Sequence, residues 1–240
     1  MTEELWETHA KWWQQEFTDG ADAEYEDQIL PLAAEILAGF TRVLDIGCGE
    51  GQVTRRLASH NSNVLGLDAT WAQISVAASR ANSDAYVRGS AVALPFRDHV
   101  FDAALACLVF EHIAEMHAAI EEVTRVLQPS GRFVLMLNHP LTQTPGSGWV
   151  EDHMHDPPSH YWRIGQYLVE QETIEEVELG VHIPFIHRPL AAYVNALADN
   201  GLRVERMLEP APPQGFIERH DSYAAAAFIP RLVVLICRKD

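Results

Sequence analysis

The stretch RVLDIGCGEGQ, Arg42 to Gln52, constrains this chain more than any other. An apolar run breaks into three glycines spaced G-x-G-x-G and passes into a helical pattern. It reads as strand, tight loop and helix, the opening unit of a parallel sheet with crossover helices. Such a loop is either a phosphate cradle or a seat for a different ligand. In the dinucleotide fingerprint a third glycine comes three residues after the second, and the pyrophosphate rests on the helix N-terminus. Here that position is Gln52, and Asp45 ends the strand two residues before Gly47. A carboxylate facing pyrophosphate across a short gap of low dielectric is costly. The same carboxylate suits a ligand bearing an ammonium and a sulfonium, which glycines at 47 and 49 let approach the backbone closely.

The rest of the chain repeats the pattern. Strands are expected at 42–46, 63–67, 85–88, at FDAALAC ending with Cys107, at 132–137, at 202–208 and at 228–237. A helix after Gly51 carries Val53, Leu57 and Ala58 on one face, with Asn61 as a left-handed cap. Further helices fall at 71–81 and 114–127, the latter stopped by Pro129 and Gly131, and a late one lies between Pro189 and Gly201. The first forty residues read as two helices carrying Trp6, Trp12, Trp13, Phe17 and Tyr25, aromatics that either pack on the core or form a lid. Residues 138–187 are too many for an ordinary loop. Within them Val177, Leu179, Val181, Ile183 and Phe185 alternate with polar residues as a half-buried strand, which with YWRIGQYLV and the Glu-rich EQETIEE reads as one hairpin over the sheet. The expected organisation is a single domain over 1–240, with an N-terminal helical lid (1–40), a core (41–137), a substrate-side insertion (138–187) and a C-terminal core (188–240).

Composition excludes several partners. Seventeen Lys plus Arg against 34 Asp plus Glu give a formal charge of −17, which repels nucleic acid and anionic membrane surfaces alike. The start MTEELWETHAKWWQQEF has neither the basic n-region nor the apolar h-region of a signal peptide. No apolar run approaches the roughly 18 residues of a membrane span. Cys48, Cys107 and Cys237 show no zinc spacing and leave an odd count. A cytoplasmic location is expected.

The segments VLDIGCGEG, GLDAT, GSAVALPFRDHVFDAALACLVFEHI and RVLQPSGRFVL, in that order, resemble the class I S-adenosylmethionine-dependent methyltransferases, specifically the type 11 branch. The resemblance covers about a hundred residues. It implies an α/β fold, a Rossmann-like, doubly wound, seven-stranded sheet, with N-terminal helices and an inserted hairpin or lid after strand five. The last strand would lie antiparallel between its neighbours. It also implies site roles. Asp45, Gly47, Cys48 and Gly49 would hold the methionine end of the cofactor; Asp68, with Ala69 beside it, would take both ribose hydroxyls; Ser90, Ala91, Val92 and Leu108 would line the adenine. Family members usually carry Asp where this chain has Ser90, so a hydroxyl or a backbone carbonyl would have to meet the adenine amino group.

Methyl transfer from a sulfonium is an in-line displacement that needs no nucleophilic residue, and a general base only where the acceptor is a hydroxyl or a protonated amine. The chain lacks the Asn-Pro-Pro-Tyr motif of enzymes that methylate nucleobase amino groups, which with the charge argues for a small-molecule acceptor. Candidate bases at the carboxyl ends of the strands are His112, His139 and His187, with His187 first because it joins the insertion to the core. Arg188 would bind an acceptor carboxylate or phosphate or pair with a local acid, and Trp12 and Tyr25 would face the acceptor. Residues 151–160 concentrate histidines and acids without any recognisable metal spacing, so no metal is assigned. The chain is expected to be a monomer or homodimer that converts S-adenosylmethionine to S-adenosylhomocysteine. The alternatives are a non-catalytic S-adenosylmethionine-binding protein and a nicotinamide-dependent oxidoreductase.

Overall fold

The computed structural model describes residues 2–61, 63–81, 85–218 and 227–240. Its centre is a seven-stranded sheet. In chain order the strands are β1 (Arg42–Ile46), β2 (Asn63–Asp68), β3 (Ala85–Arg88), β4 (Phe101–Cys107) and β5 (Leu127–Asn138), then, after the insertion, β10 (Leu202–Leu208) and β11 (Leu232–Lys239). The spatial order is β10-β11-β5-β4-β1-β2-β3. Strand β1 pairs in parallel with β2 on one side and β4 on the other, and β11 runs antiparallel between β5 and β10. The chain therefore leaves β1 in opposite directions, and this reversal opens a crevice at the carboxyl ends of the strands, where open α/β sheets bind ligands.

The strands read as nearly unbroken apolar runs because both faces are covered. Alternate residues go to opposite sides: Leu44, Ile46, Ala104, Phe133 and Leu135 belong to a core under helices α5 (Met116–Val126) and α6 (Leu190–Asp199), and Val43, Ala103, Leu105, Val134 and Met136 to a core under α2 (Leu30–Ile36) and α3 (Gln52–Ala58). A π-helical turn, Tyr25–Ile29, leads directly into α2. The first helix, α1 (Thr2–Phe17), packs on α4 (Trp71–Arg80) and on strand β9 (Val181–His187) of the insertion. Its Glu7 carboxylate accepts the backbone N–H groups of Trp71 and Ala72 at 2.7 and 3.0 Å, satisfying two donors that α4 leaves open at its N-terminus.

Several boundaries differ from expectation. Helix α3 ends at Ala58 with a right-handed Ser59, and Asn61 folds back so that its backbone and side-chain N–H groups both donate to the Leu57 carbonyl, removing any need for a left-handed cap. The insertion holds two hairpins rather than one. Strand β6 (Gly148–Asp152) pairs with β7 (Ser159–Arg163), and β8 (Gln171–Glu178) with β9 (Val181–His187). The alternation at 177–185 spans a turn, made at Gly180 with φ 81°. The Glu-rich segment is itself a strand, tolerated because β8 is exposed along nearly all its length. Strand β11 begins four residues later than expected, beyond Pro230, with Phe228 exposed. A short helix α7 (Gln214–Ile217) precedes it. No helix among the described residues is long and apolar enough to cross a membrane.

Candidate functional site

A cavity of about 760 Å³ opens at the carboxyl ends of β1, β2 and β4, inside the usual range for a small-ligand site. All ten residues assigned above to the cofactor line it. Three surfaces meet there: the β1 to α3 loop with Asp45, Gly47, Cys48 and Gly49; the end of β2 with Asp68 and Ala69; and the segments after β3 and β4 with Ser90, Ala91, Val92 and Leu108.

The glycine loop turns through φ 71° at Gly47 and 55° at Gly49. At Gly47 a Cβ would collide with the Val109 side chain, so the loop and the β4 exit are in contact only because that atom is missing. The N–H groups of the loop point back into the protein. Those of Gly47 and Cys48 both donate to the Leu67 carbonyl at 2.7 and 3.0 Å, and that of Gly49 donates to the Asp68 carboxylate at 3.0 Å. A phosphate cradle needs such donors free.

Two carboxylates converge on the same space. Asp45 is 1% exposed and its Oδ2 accepts the Thr54 hydroxyl at 2.6 Å. Burial pushes its pKa up from 3.8 to about 7, the Thr54 bond opposing this and the nearby Asp68 adding to it. Asp68 is also raised, first by burial, although its Oδ1 accepts the N–H and hydroxyl of Thr70 at 2.8 and 2.7 Å. Leu108 sits at φ 55°, a left-handed conformation unusual for a bulky residue, held by its N–H on the Met136 carbonyl.

The three candidate histidines separate. His112, in the 3-10 turn after β4, lines the cavity. Its Nδ1 donates to the Pro184 carbonyl of β9 at 2.6 Å, which fixes the neutral tautomer with the lone pair on Nε2. Burial pulls its pKa down to about 4. His139 lies outside the cavity, its Nε2 on Glu209 at 2.8 Å and its Nδ1 accepting the Leu141 N–H. His187, 1% exposed, turns its Nε2 to the Tyr167 carbonyl at 2.8 Å and is likewise away from the cavity. Arg188 does not line the cavity. It donates to the carbonyls of Phe110, Ile113 and Ala114 at 2.8 to 3.1 Å and so holds the turn that carries His112.

Tyr25 lines the cavity, but Trp12 does not: its Nε1 donates to Glu178 at 2.7 Å on β8. Trp6 and Trp13 occupy the wall instead, edge to face at 5.6 Å, with Trp6 4.8 Å from His112. The spacing Trp6, Trp13, Phe17 is one helical stripe, a signal that separates them from Trp12. At 151–160, Glu151 lies 3.7 and 3.6 Å from His153 and His160, and among the described residues no group of three or more ligating side chains is placed to hold a metal.

Residues 44–135 match a family model described as a methyltransferase domain, type 11. Over this stretch the chain is similar to type 11 methyltransferase domains. The chain is 32% identical over 145 residues to an uncharacterised methyltransferase of Bacillus subtilis, covering 58% of this chain and 57% of that protein. It is 30% identical over 120 residues to a demethylmenaquinone methyltransferase of Thermotoga maritima, covering 49% and 51%. The chain thus spans little more than half the length of these curated relatives. Among solved structures, an S-adenosylmethionine-dependent methyltransferase from Mesorhizobium loti superposes with a TM-score of 0.77 at 27% identity, over 92% of this chain and 99% of that one. The matched stretch holds every residue assigned to the cofactor, and the aromatic residues that reach the cavity from outside it, Trp6, Trp13 and Tyr25, come from the N-terminal helices.

Proposed function

We propose that this protein transfers a methyl group from S-adenosylmethionine to a small-molecule acceptor. The observation that carries the reading is the loop chemistry. The N–H groups of Gly47, Cys48 and Gly49 are committed inside the protein, and two carboxyl groups, the buried Asp45 and the half-buried Asp68, stand where a pyrophosphate would lie. That arrangement disfavours a nicotinamide dinucleotide and suits a ligand with an ammonium at one end and a ribose diol in the middle. Asp45 would face the ammonium, Asp68 the ribose hydroxyls, and Ser90, Ala91, Val92 and Leu108 the adenine. The cofactor supplies the electrophilic methyl group; the chain orients the acceptor against it and keeps water out.

A small acceptor fits the cavity volume, and among the relatives one is named a demethylmenaquinone methyltransferase and another an O-methyltransferase. The charge of −17 supports the same reading over nucleic acid. Isothermal titration with S-adenosylhomocysteine tests it. The expected result is one saturable site, weakened about 100-fold or more by Asp68→Ala, with NADH giving no saturable binding. Saturable NADH binding with none for the homocysteine nucleoside would revive the oxidoreductase reading. Cofactor binding without turnover of any acceptor would favour a binding protein.

A further inference from the structure

We infer that the acceptor is an uncharged aromatic molecule that presents a hydroxyl to His112 Nε2, and that this hydroxyl oxygen receives the methyl group. The inference rests on the methyl-transfer reading above and names its substrate class.

Three observations carry it. First, the wall of the cavity beyond the cofactor residues is aromatic. Trp6, Trp13 and Tyr25 stand edge to face in sequence, with centroids 5.6 and 6.2 Å apart, a shape that receives a flat ring. Second, the lining offers an anionic acceptor no cationic side chain. It includes Glu4, Asp45, Glu50, Asp68 and Glu115 and, among the described residues, no lysine or arginine. Glu50 is neutralised by ion pairs to Arg55 and Arg80 at 2.8 and 2.6 Å. An acceptor carboxylate or phosphate would find no cation on the protein. Third, His112 is fixed as an acceptor. Its Nδ1 proton is held by Pro184, its Nε2 has no hydrogen-bond partner among the described residues, and the ring lines the cavity beside Trp6.

The chemistry then separates a hydroxyl from an alkylammonium. A buried imidazole that binds protons weakly cannot strip an alkylammonium, whose nitrogen has no lone pair to attack with until it is deprotonated. A hydroxyl keeps lone pairs while it donates to Nε2. As the oxygen–methyl bond forms, the sulfur–methyl bond breaks with its electron pair going to sulfur, which becomes a neutral thioether. The hydroxyl proton, made strongly acidic by the new bond, passes to Nε2. The imidazolium so formed, disfavoured by its burial, gives the proton to water. Methyl, charge and proton balance: acceptor alcohol and sulfonium become ether, thioether and a free proton.

The test uses four naphthalene probes against full-length protein saturated with S-adenosylhomocysteine: 2-naphthol, 2-methoxynaphthalene, 6-hydroxy-2-naphthoate and 2-naphthylmethylamine in its cationic form. Titration calorimetry is expected to show 2-naphthol binding about tenfold tighter than the methoxy compound, which lacks the donor, and about 30-fold tighter than either charged probe. His112→Asn, whose side-chain amide can still donate to the Pro184 carbonyl while lacking an acceptor at the Nε2 position, should erase the naphthol preference. With S-adenosylmethionine, 2-naphthol should yield the methyl ether by mass spectrometry, reduced about 100-fold or more in that variant. Absent binding of naphthol, equal or tighter binding of a charged probe, an N-methylated product, or an unchanged preference in His112→Asn would each overturn the inference. Failure of the protein to take up S-adenosylhomocysteine at all would instead overturn the methyl-transfer reading on which it rests.

Discussion

At the scale of single residues the site is governed by what burial does to carboxylates. Asp45, raised to about 7, is largely protonated in the empty protein below that pH, and a bound ammonium favours its ionised form. Affinity for S-adenosylhomocysteine is therefore expected to rise between pH 5.5 and 7 by up to about tenfold per unit and then flatten, with a proton released on binding below 7. Asp45→Asn should bind weakly with no such slope; titration in buffers of different ionisation enthalpy reads both effects. Glu111 gives a stability counterpart. It is 2% exposed, its Oε1 accepts the N–H and side-chain amide of Asn138, its Oε2 has no partner, and burial raises its pKa from 4.5 to about 7. A raised acid pKa contributes stability that is complete below about pH 4.5 and is lost as pH climbs through 7. Glu111→Gln keeps the Oε1 contacts and removes the titration, so in urea unfolding it should match the native protein at pH 4 and exceed it by about 1–3 kcal/mol at pH 8. Asp45 and Asp68 were legible in the sequence because a strand end and a tight glycine turn leave their side chains only one direction to point. The histidines were not, because His112, His139 and His187 all follow strand ends and only their tertiary partners, Pro184, Glu209 and Tyr167, decide which ring reaches the cavity.

At the scale of elements the first helix matters most. One face of α1 puts Trp6 and Trp13 into the cavity, and the Trp13 Nε1 lies 3.7 Å from where a Cβ on Gly49 would stand, close against the loop that would receive the cofactor's methionine end. The neighbouring face puts Trp12 on Glu178. Trp13→Ala should weaken S-adenosylhomocysteine binding about tenfold or more, and Trp12→Ala should change it less than about twofold while lowering stability by about 1–2 kcal/mol, as fits its hydrogen bond to Glu178 and its edge-to-face contacts with Phe17 and Trp13 at 5.4 and 6.4 Å. A single-residue step along a helix turns a side chain through about 100°, which is why choosing among adjacent tryptophans by type alone favoured Trp12. The insertion was harder for another reason. Period-two alternation identifies β9 but runs without a break across the Gly180 turn, and the charges of β8 hide a strand whose two faces both meet water.

At the scale of the whole molecule the sheet was the most legible part, since strands buried on both faces announce themselves as apolar runs, and the unit order follows the chain. What the runs do not carry is how distant segments close over the strand ends. The cavity is walled on one side by that sheet and on the other by α1, and none of residues 138–187 lines it; β9 acts at second hand, through the Pro184 carbonyl on His112 and through its packing on α1. A ligand in the cavity thus bridges the central sheet and the N-terminal helix, and leaves the β6 to β7 hairpin untouched. Ligand at 100 times its dissociation constant contributes about 2.7 kcal/mol to the folded state. Limited trypsin digestion resolves where that stabilisation is felt. Cleavage after Lys11, inside α1, requires the helix to leave the cavity wall and should slow about tenfold or more with saturating S-adenosylhomocysteine, if local opening is coupled to the site. Cleavage after Arg163, in β7, should change less than about twofold. Equal protection at both positions would mean that the hairpin opens together with the site, and protection at Arg163 alone would place the moving element in the insertion rather than in α1.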